Sequence, residues 1–430
     1  MQTYIYIDNF RGFEAAVVPL RQVNFLVGEN STGKSSFIEL IETFSNMPFW
    51  AFEPRYGVQG ATQKHFLDLV SAAGISKRSF SIGAVAMSEA QGEESVGMIV
   101  SYRSVDGRPV PSRVSVIGPS VVRTVDGELW RSHKGSNYNA RKLAYLSGFD
   151  RDQVKRVRQF AAIHHKETGF EGREVTEQVA GMPLFMRFEA ELFDGQLLKG
   201  RGLRAPHPFM STFIDLAPIR AKPRRTNDAP QTDFSAEGDH TPYVVRKRLS
   251  SKTQAEAFRK FLEDAGNSSG LFKSISVKQY GSGALAPFEI RIALGQTSLS
   301  LNNVGYGVSQ ALPVLVEIFV RPKRTAFAIQ QPEVHLHPRA QATFGDLIAE
   351  LARVDEKFFV VETHSDFTID RFRLNVRKNG AIPSQILFFE RRGERNVTTA
   401  IPIDVDGKLS DDQPDSYREF FYNESLDLLS

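Results

Sequence analysis

The sequence predicts an α/β fold. A parallel sheet takes strands from both ends of the chain, with an antiparallel β subdomain and a partly helical insertion between them. Three observations lead there. An apolar strand pattern near the N-terminus runs into the glycine-bearing loop "GENSTGKSS" and then into a stretch with helical spacing. Residues 79 to 130 hold short alternating segments separated by Gly, Pro and Asp-Gly turns. The last third alternates helix-spaced and strand-like segments, the rhythm of parallel strands joined by helices.

Taken in order, "TYIYID", "FEAAVVPL" and "QVNFLV" read as strands within residues 3 to 27. "SSFIELIETFSNM" places Phe37, Leu40, Ile41 and Phe44 on one helical face. Residues 47 to 78 are mixed. "SFSIGAVAM", "VGMIVSY" and "SRVSVI" suggest an antiparallel meander. Residues 137 to 170, including "RDQVKRVRQFAAIHHK", read as helical and basic, and residues 182 to 200 as strands. The stretch 213–242 is rich in Pro, Asp and Arg and reads as a structured loop. A helix over 252–265 and strands over 273–279 and 287–294 follow. Helices at 308–320, 339–353 and 366–378 then alternate with strands at 325–330, 357–362 and 385–390. The resulting division is an N-terminal part of a split domain with the meander (1–135), an inserted helical and basic region (136–270) and a C-terminal part of the split domain (271–430).

The chain has 430 residues, 41% hydrophobic and 24% charged, with a formal charge of +3, ordinary for a globular protein and too small to indicate nucleic acid by itself. It has no cysteine, which excludes disulfides and thiolate zinc sites and fits a cytoplasmic location. "MQTYIYIDNF" enters a strand pattern at once, without the regions of a signal peptide. No run of about 18 apolar residues occurs, so no membrane association is expected.

Gly28-Glu29-Asn30-Ser31-Thr32-Gly33-Lys34-Ser35 matches G-x-x-x-x-G-K-[ST] in full. The glycines permit tight turns, and backbone N–H groups at a helix start can wrap phosphates. Asn30, Ser31, Thr32, Gly33, Lys34, Ser35 and Ser36 are the nucleotide-binding candidates. Lys34 would reach the β- and γ-phosphates, and the Ser35 hydroxyl would ligate Mg2+. The motif does not separate ATP from GTP. Further on, Gly305 and Gly307 form a glycine-rich turn before an apolar helix that Ser309 is expected to cap; alone, this is a plain glycine loop. "AFAIQQPEVHLHP" and "KFFVVETHSD" end two apolar strands in polar residues, the second in Thr363, His364 and Ser365, where ligands of open α/β sheets bind.

With "NFRGF", "VGENSTGKSS", "NVGYGVSQALP", "QPEVHLHPRAQ" and "VVETHSD" in this order, the sequence resembles the ABC-type ATPases of the SMC, RecF and OLD group. It is most similar to the standalone ATPases found with bacterial antiviral defence systems. "LAPIRAKPRR" resembles the group's inserted-segment motif. The resemblance covers residues 1 to 46 and 300 to 400 well and the middle loosely. It implies an ABC-type (P-loop) ATPase head with a split nucleotide-binding domain. It also implies a homodimer that sandwiches two ATP molecules with Mg2+. Lys34 and Ser35 would bind phosphate and magnesium. Gly305, Gly307 and Ser309 would form the signature loop that contacts the γ-phosphate of ATP held by the other protomer. Glu333 and "HLHP" would lie at the dimer seam, and His364 would be the switch histidine.

The resemblance also implies a carboxylate just before Pro332, where Gln330 and Gln331 stand. Neither can take a charge, though both can hydrogen-bond to water or nucleotide. The catalytic candidates are therefore Gln330, Gln331, Glu333 and His364, with Ser35 and Gln330 at the metal. Three readings stay open. A glutamate has been replaced by glutamine, with the group's Glu-Gln-Pro-Glu pattern pointing to Gln330. Alternatively, Glu333 or Glu362 supplies the base. In the third, the chain is a natural ATP-binding scaffold with negligible hydrolysis. A zinc reading of His335 and His337 lacks a third ligand nearby.

Three basic clusters fall in 150–250: Lys155, Arg156 and Arg158 near His164, His165 and Lys166; Arg220, Lys222, Arg224 and Arg225; and Arg246, Lys247 and Arg248. They are solvated faces, nucleic-acid contacts or protein-binding surfaces. Beyond His364 the sequence holds one more strand pair and an acidic tail, so no nuclease domain is expected in cis. The function expected is a dimeric ATP-driven switch in an antiviral complex, controlling a separate effector such as a nuclease. The alternative is a DNA repair or recombination ATPase that clamps DNA directly.

Overall fold

The computed structural model describes residues 2–51, 56, 64–72, 78–87, 95–117, 121–127, 136–144, 152–166, 171–177, 212–228, 231–283 and 286–419. The first half of the chain contains β1 (Gln2–Asp8), β2 (Ala16–Leu20), β3 (Val23–Gly28), α1 (Lys34–Ser45), α2 (Met47–Ala51), β4 (Ser79–Met87), β5 (Val96–Val105), β6 (Arg108–Ile117), β7 (Val121–Gly127), β8 (Ser136–Ala144), α3 (Gln153–His165) and β9 (Glu171–Glu177). The second half contains β10 (Phe213–Leu216), α4 (Thr241–Leu249), α5 (Ala255–Ser269), β11 (Ser274–Gln279), β12 (Phe288–Leu294), β13 (Thr297–Ser300), α6 (Tyr306–Val320), β14 (Ala326–Gln330), α7 (Pro338–Val354), β15 (Phe358–Glu362), α8 (Asp366–Asn379), β16 (Ser384–Arg392) and β17 (Arg395–Ile403). Two compact units result. The first is Met1–Arg21, Gly28–Ser211 and Phe388–Ala400; the second is Gln22–Val27, Thr212–Leu387 and Ile401–Ser430. Among the described residues no helix is long and apolar enough to cross a membrane.

The first unit carries an eight-stranded sheet in the order β2-β1-β4-β5-β6-β7-β8-β9. Its pairs are antiparallel throughout. Strand β1 alternates Tyr4 and Tyr6 with Ile5 and Ile7, and all four are buried. The tyrosines join Val85, Met87, Ile99, Ile117 and Val122 in a core that Val157, Phe160, Ala161 and Ile163 of α3 cover. The sheet runs past residue 135, where a helical insertion was expected. Residues 136–144 are strand β8, paired along β7 and β9, and the helix begins only at Gln153. Asp152 sets that start by accepting from the N–H groups of Val154 and Lys155 at 2.9 and 3.1 Å. Strand pairing between distant segments outweighs local composition here. The strands expected over 182–200 lie outside the described residues.

The six-stranded sheet has the order β10-β14-β15-β3-β16-β17. Strands β10, β14, β15 and β3 are parallel neighbours, so strands from both ends of the sequence share one sheet, as expected. Helix α6 is apolar on nearly every side, and Val308 to Ile318 are buried. Its one buried acid, Glu317, meets His240 Nε2 at 2.8 Å and Arg321 Nε at 2.6 Å. Burial alone would raise the Glu317 carboxyl, but these two donors hold it below its ordinary range. The stretch 213–242 is not simply a loop. Its first residues form β10, an edge strand paired with β14 from Phe213 opposite Ala326 to Leu216 opposite Ile329. A four-residue strand containing an aspartate is too short to show a period of two.

His164 lies fully buried inside the first unit. Its Nε2 pairs with Ser101 Oγ and its Nδ1 with Ser115 Oγ, each at 2.7 Å. Ser81 and Thr124 extend the chain at either end. Burial pushes the imidazole well below its usual range, reinforced by His165 and Arg113. His165 is also lowered by burial, against the pull of Asp8. For both, the unfolded chain takes up the proton first. The contribution of buried His164 to stability is present above the unfolded value of about 6.5 and is lost as pH falls below it, at up to about 1.4 kcal/mol per pH unit; the more exposed His165 acts in the same direction with a smaller effect. Thermal unfolding between pH 7.5 and 5 is therefore expected to show a midpoint that falls below pH 6.5. His164→Gln should flatten that dependence; an unchanged slope would contradict it.

Candidate functional site

The phosphate loop belongs to the first unit. Gly28 has φ 142°, and a Cβ there would sit 1.9 Å from the carbonyl oxygen of Phe389. Gly33 has φ 100°, and a Cβ there would meet the Phe13 ring at 2.5 Å. Both motif glycines are thus required by backbone conformation and by close packing. The Phe13 ring meets Phe389 edge-on, and Phe37 meets the same ring, so three aromatics support the turn. Phe13 comes from "NFRGF", whose own turn is tied down by Asn396: its Nδ2 donates to Arg11 O and its N–H to Gly12 O, both at 2.8 Å. Within the loop, Thr32 Oγ1 donates to Glu29 O at 2.8 Å. Lys34 Nζ donates to Gly28 O at 2.8 Å and Glu29 O at 2.7 Å. Asn30, Ser31 and Ser35 are exposed, and Ser31 holds a left-handed φ of 63°. Arg11 was not a site candidate in the sequence. Its Nη1 lies 3.3 Å from Ser36 Oγ and 2.7 Å from Glu39, which also binds Lys64. The ion pairs outweigh burial and lower the Glu39 carboxyl.

The second unit brings Gln330, Gln331, Glu333 and His364 together at the carboxyl ends of β14 and β15. Leu26 of β3 lies opposite Glu362, the last residue of β15. Gln331 takes a left-handed φ of 46°, and its N–H donates to Glu362 O at 2.8 Å. Glu333 Oε1 accepts from the backbone N–H of His364 at 2.7 Å, whose side chain is exposed. Two further residues enter that the sequence reading did not place here. Asp215 on β10 accepts from Gln330 Nε2 at 3.0 Å. Arg220, from "LAPIR", donates Nη2 to the Gln330 carbonyl at 3.0 Å, and its backbone N–H donates to Gln310 Oε1. Its Nε and Nη1, and Glu333 Oε2, are buried without a hydrogen-bond partner among the described residues. Burial pushes the Arg220 guanidinium down to about 10, while the nearby Glu333 charge raises it. Burial also raises Asp215, which the Gln330 amide N–H partly offsets.

Helix α6 starts from Gly305, with no side-chain cap. Ser309 lies one turn inside and donates its Oγ to Tyr306 O at 2.9 Å, so it is not the cap the sequence suggested. Gly307 is packed: a Cβ there would lie 2.8 Å from His335 O. Both histidines of "HLHP" are exposed. His335 takes a left-handed φ of 65°. His337 caps α7 by accepting from the N–H of Arg339 at 3.3 Å, with Pro338 in the first turn. Among the described residues no group of three His, Cys, Asp or Glu could hold a metal ion.

A family model described as the AAA ATPase domain matches residues 1–81 and 197–369, more than half of the chain. The chain belongs to the AAA ATPase domain family. Comparison with curated proteins finds no match. Among solved structures, an SMC head bound to the C-winged helix domain of ScpA is 11% identical, covering 94% of this chain and 97% of that one at a TM-score of 0.45. The SMC head domain from Thermotoga maritima is 12% identical, covering 94% and 98% at 0.40. The Smc head from Pyrococcus furiosus, bound to the C-terminal domain of ScpA, is 9% identical, covering 94% and 97% at 0.40. This AAA ATPase domain is a nucleotide-binding α/β ATPase, and its phosphate loop and strand-end residues fall inside the matched segments.

All three basic clusters are partly dismantled in the structure. His164 and Arg220 are buried. Arg246 lies over the Phe288 ring and donates to Ala286 O, and Arg248 donates to Val320 O. Lys155, Arg158, Lys166, Lys222, Arg224, Arg225 and Lys247 are exposed.

Gly307→Ala would force the first turn of α6 off the His335 backbone, an overpacking cost of about 1–3 kcal/mol. A lowered unfolding midpoint in urea with an unchanged m-value is expected, and a midpoint equal to wild type would contradict the packing described.

Proposed function

We propose that this AAA ATPase domain binds and slowly hydrolyses ATP with Mg2+ as a dimeric switch. The phosphate loop of one protomer and the Gly305 turn of another would close on the same nucleotide. The observation that carries the reading is a contrast between glycines. Gly28 and Gly33 are demanded by the protomer's own packing, whereas Gly305 is not. Gly305 has an ordinary φ of −58°, and among the described residues nothing lies within 4 Å of a Cβ built there. A glycine that the fold does not need suits close approach by something outside the protomer. The neighbouring Tyr306 is 58% exposed, an aromatic ready to be covered.

Roles follow from chemistry. Lys34 supplies the charge for the β- and γ-phosphates, and loop N–H groups around Asn30–Ser36 wrap them. The Ser35 hydroxyl and the Gln330 amide oxygen are each hard oxygen donors of the kind that suits Mg2+. When bound, Mg2+ neutralises charge that develops on the phosphate oxygens. Hydrolysis is slow in this reading because Gln330 and Gln331 cannot polarise water as a carboxylate does. Glu333 and Glu362 remain as nearby carboxylates, with Glu333 tied to the His364 backbone. The motif resemblance supports a place in an antiviral complex with a separate effector such as a nuclease; the exposed cations of residues 150–250 would meet that partner or nucleic acid.

Sedimentation velocity with and without Mg2+ and ATP tests the switch. ATP should raise the mass to a dimer. Lys34→Ala should abolish ATP binding. Gly305→Asp should bind ATP as a folded protomer and fail to dimerise. A Gly305→Asp protein that still dimerises on ATP would sink the reading.

A further inference from the structure

Gln330 is held from two sides by one short segment of the chain. Arg220 Nη2 donates to its backbone carbonyl, and Asp215 Oδ1 accepts from its side-chain Nε2, each at 3.0 Å. The parallel register places Asp215 opposite Ala328, two residues before Gln330, so both side chains stand on the same face of the sheet. The two ends of a glutamine amide are nearly identical in shape, and rotation exchanges donor for acceptor. An ionised carboxylate only accepts, so it selects the amino end and leaves Oε1 on the opposite side. A hydrogen bond to a charged acceptor is stronger than a neutral one and polarises the amide, adding negative charge to Oε1.

We propose that Asp215 is a positioning residue for the divalent cation: it tethers Gln330 Nε2, presents Gln330 Oε1 as the oxygen ligand, and supplies the negative charge absent from the strand end. This rests on the ATP-binding reading above. It accounts for a glutamine at a metal position without an altered residue, because Asp215 and Gln330 together carry one negative charge and one outward oxygen, as a single acid would. The plain structural alternative is that the pair only ties the edge strand β10 to the sheet.

The test uses the full chain with ATP and Mn2+ as the probe cation, followed by the electron paramagnetic resonance of bound Mn2+, and ATP binding in EDTA as the metal-free reference. Asp215→Ala should raise half-saturating Mn2+ by about tenfold or more, the usual size of an outer-shell effect. Metal-free ATP affinity should stay unchanged. Asp215→Asn keeps an acceptor without the charge and should fall between Asp215→Ala and wild type; it also serves if Asp215→Ala folds poorly. Asp215→Asn combined with Gln330→Glu swaps charge and amide and should return Mn2+ dependence close to wild type. A purely structural tie would lower the unfolding midpoint of Asp215→Ala without moving its Mn2+ dependence, and that result overturns the proposal. So does a double variant no better than Asp215→Asn. ATP binding that survives Lys34→Ala overturns the nucleotide reading and this proposal with it. ATP binding that needs Lys34 but ignores Asp215 overturns this proposal alone.

Discussion

Parallel pairing of β10, β14 and β15 fixes where the polar groups at the edge of the second unit can be. Each register pair, from Phe213 beside Ala326 to Gln330 beside Glu362, advances the three strands together. They therefore run out of apolar sequence at the same level. Beyond it the chain cannot continue the ladder, and Gln331 turns into a left-handed conformation with its N–H on Glu362 O. Asp215, Arg220, Gln330, Glu333 and His364 all hang from that common edge. A slip of one residue in β10 would turn Asp215 to the opposite face and leave Gln330 without its partner.

Electrostatics at this edge favour the neutral glutamines. Asp215, Glu333 and Glu362 already stand there against one buried cation, Arg220. A further acid at position 330 would place two carboxylates at the spacing now held by the Gln330–Asp215 hydrogen bond, 3.0 Å. Like charges at such a distance cost several kcal/mol unless a cation lies between them, on the order of 5 kcal/mol at an effective dielectric of 20. Arg220 leaves two guanidinium nitrogens and Glu333 one oxygen without hydrogen bonds among the described residues. Unpaired buried polar atoms of this kind are expensive and leave donors and an acceptor open to water or a ligand. The same segment also reaches α6 through the Arg220 N–H on Gln310. One short stretch therefore touches both the strand end and the helix that begins at Gly305.

Much of this was legible in the residues. The phosphate loop, the meander, the α/β rhythm of the last third and the strand ends at Gln330 and His364 follow from motif and period. Two kinds of feature were not legible. Strands β8 and β9 have no clear alternation and take shape only through pairing with distant neighbours. Asp215 lay in a stretch whose prolines, acids and arginines suggested a loop, since a four-residue edge strand has no detectable period. Its distance from Gln330 is 115 residues along the chain and one hydrogen bond in space. Ser309 looked like a cap because the glycines hide the helix start; the helix begins three residues earlier, at Tyr306.

In the proposed switch one nucleotide is shared by two protomers, and the absence of cysteine makes this directly measurable. One population would carry Ser31→Cys in the phosphate loop and another Tyr306→Cys at the start of α6. The two would be mixed with a short bismaleimide, with or without ATP and Mg2+. The expected result is a cross-linked pair between the two populations that forms only with ATP. A cross-link that forms equally without ATP, or none at all while ATP is bound, would contradict the account.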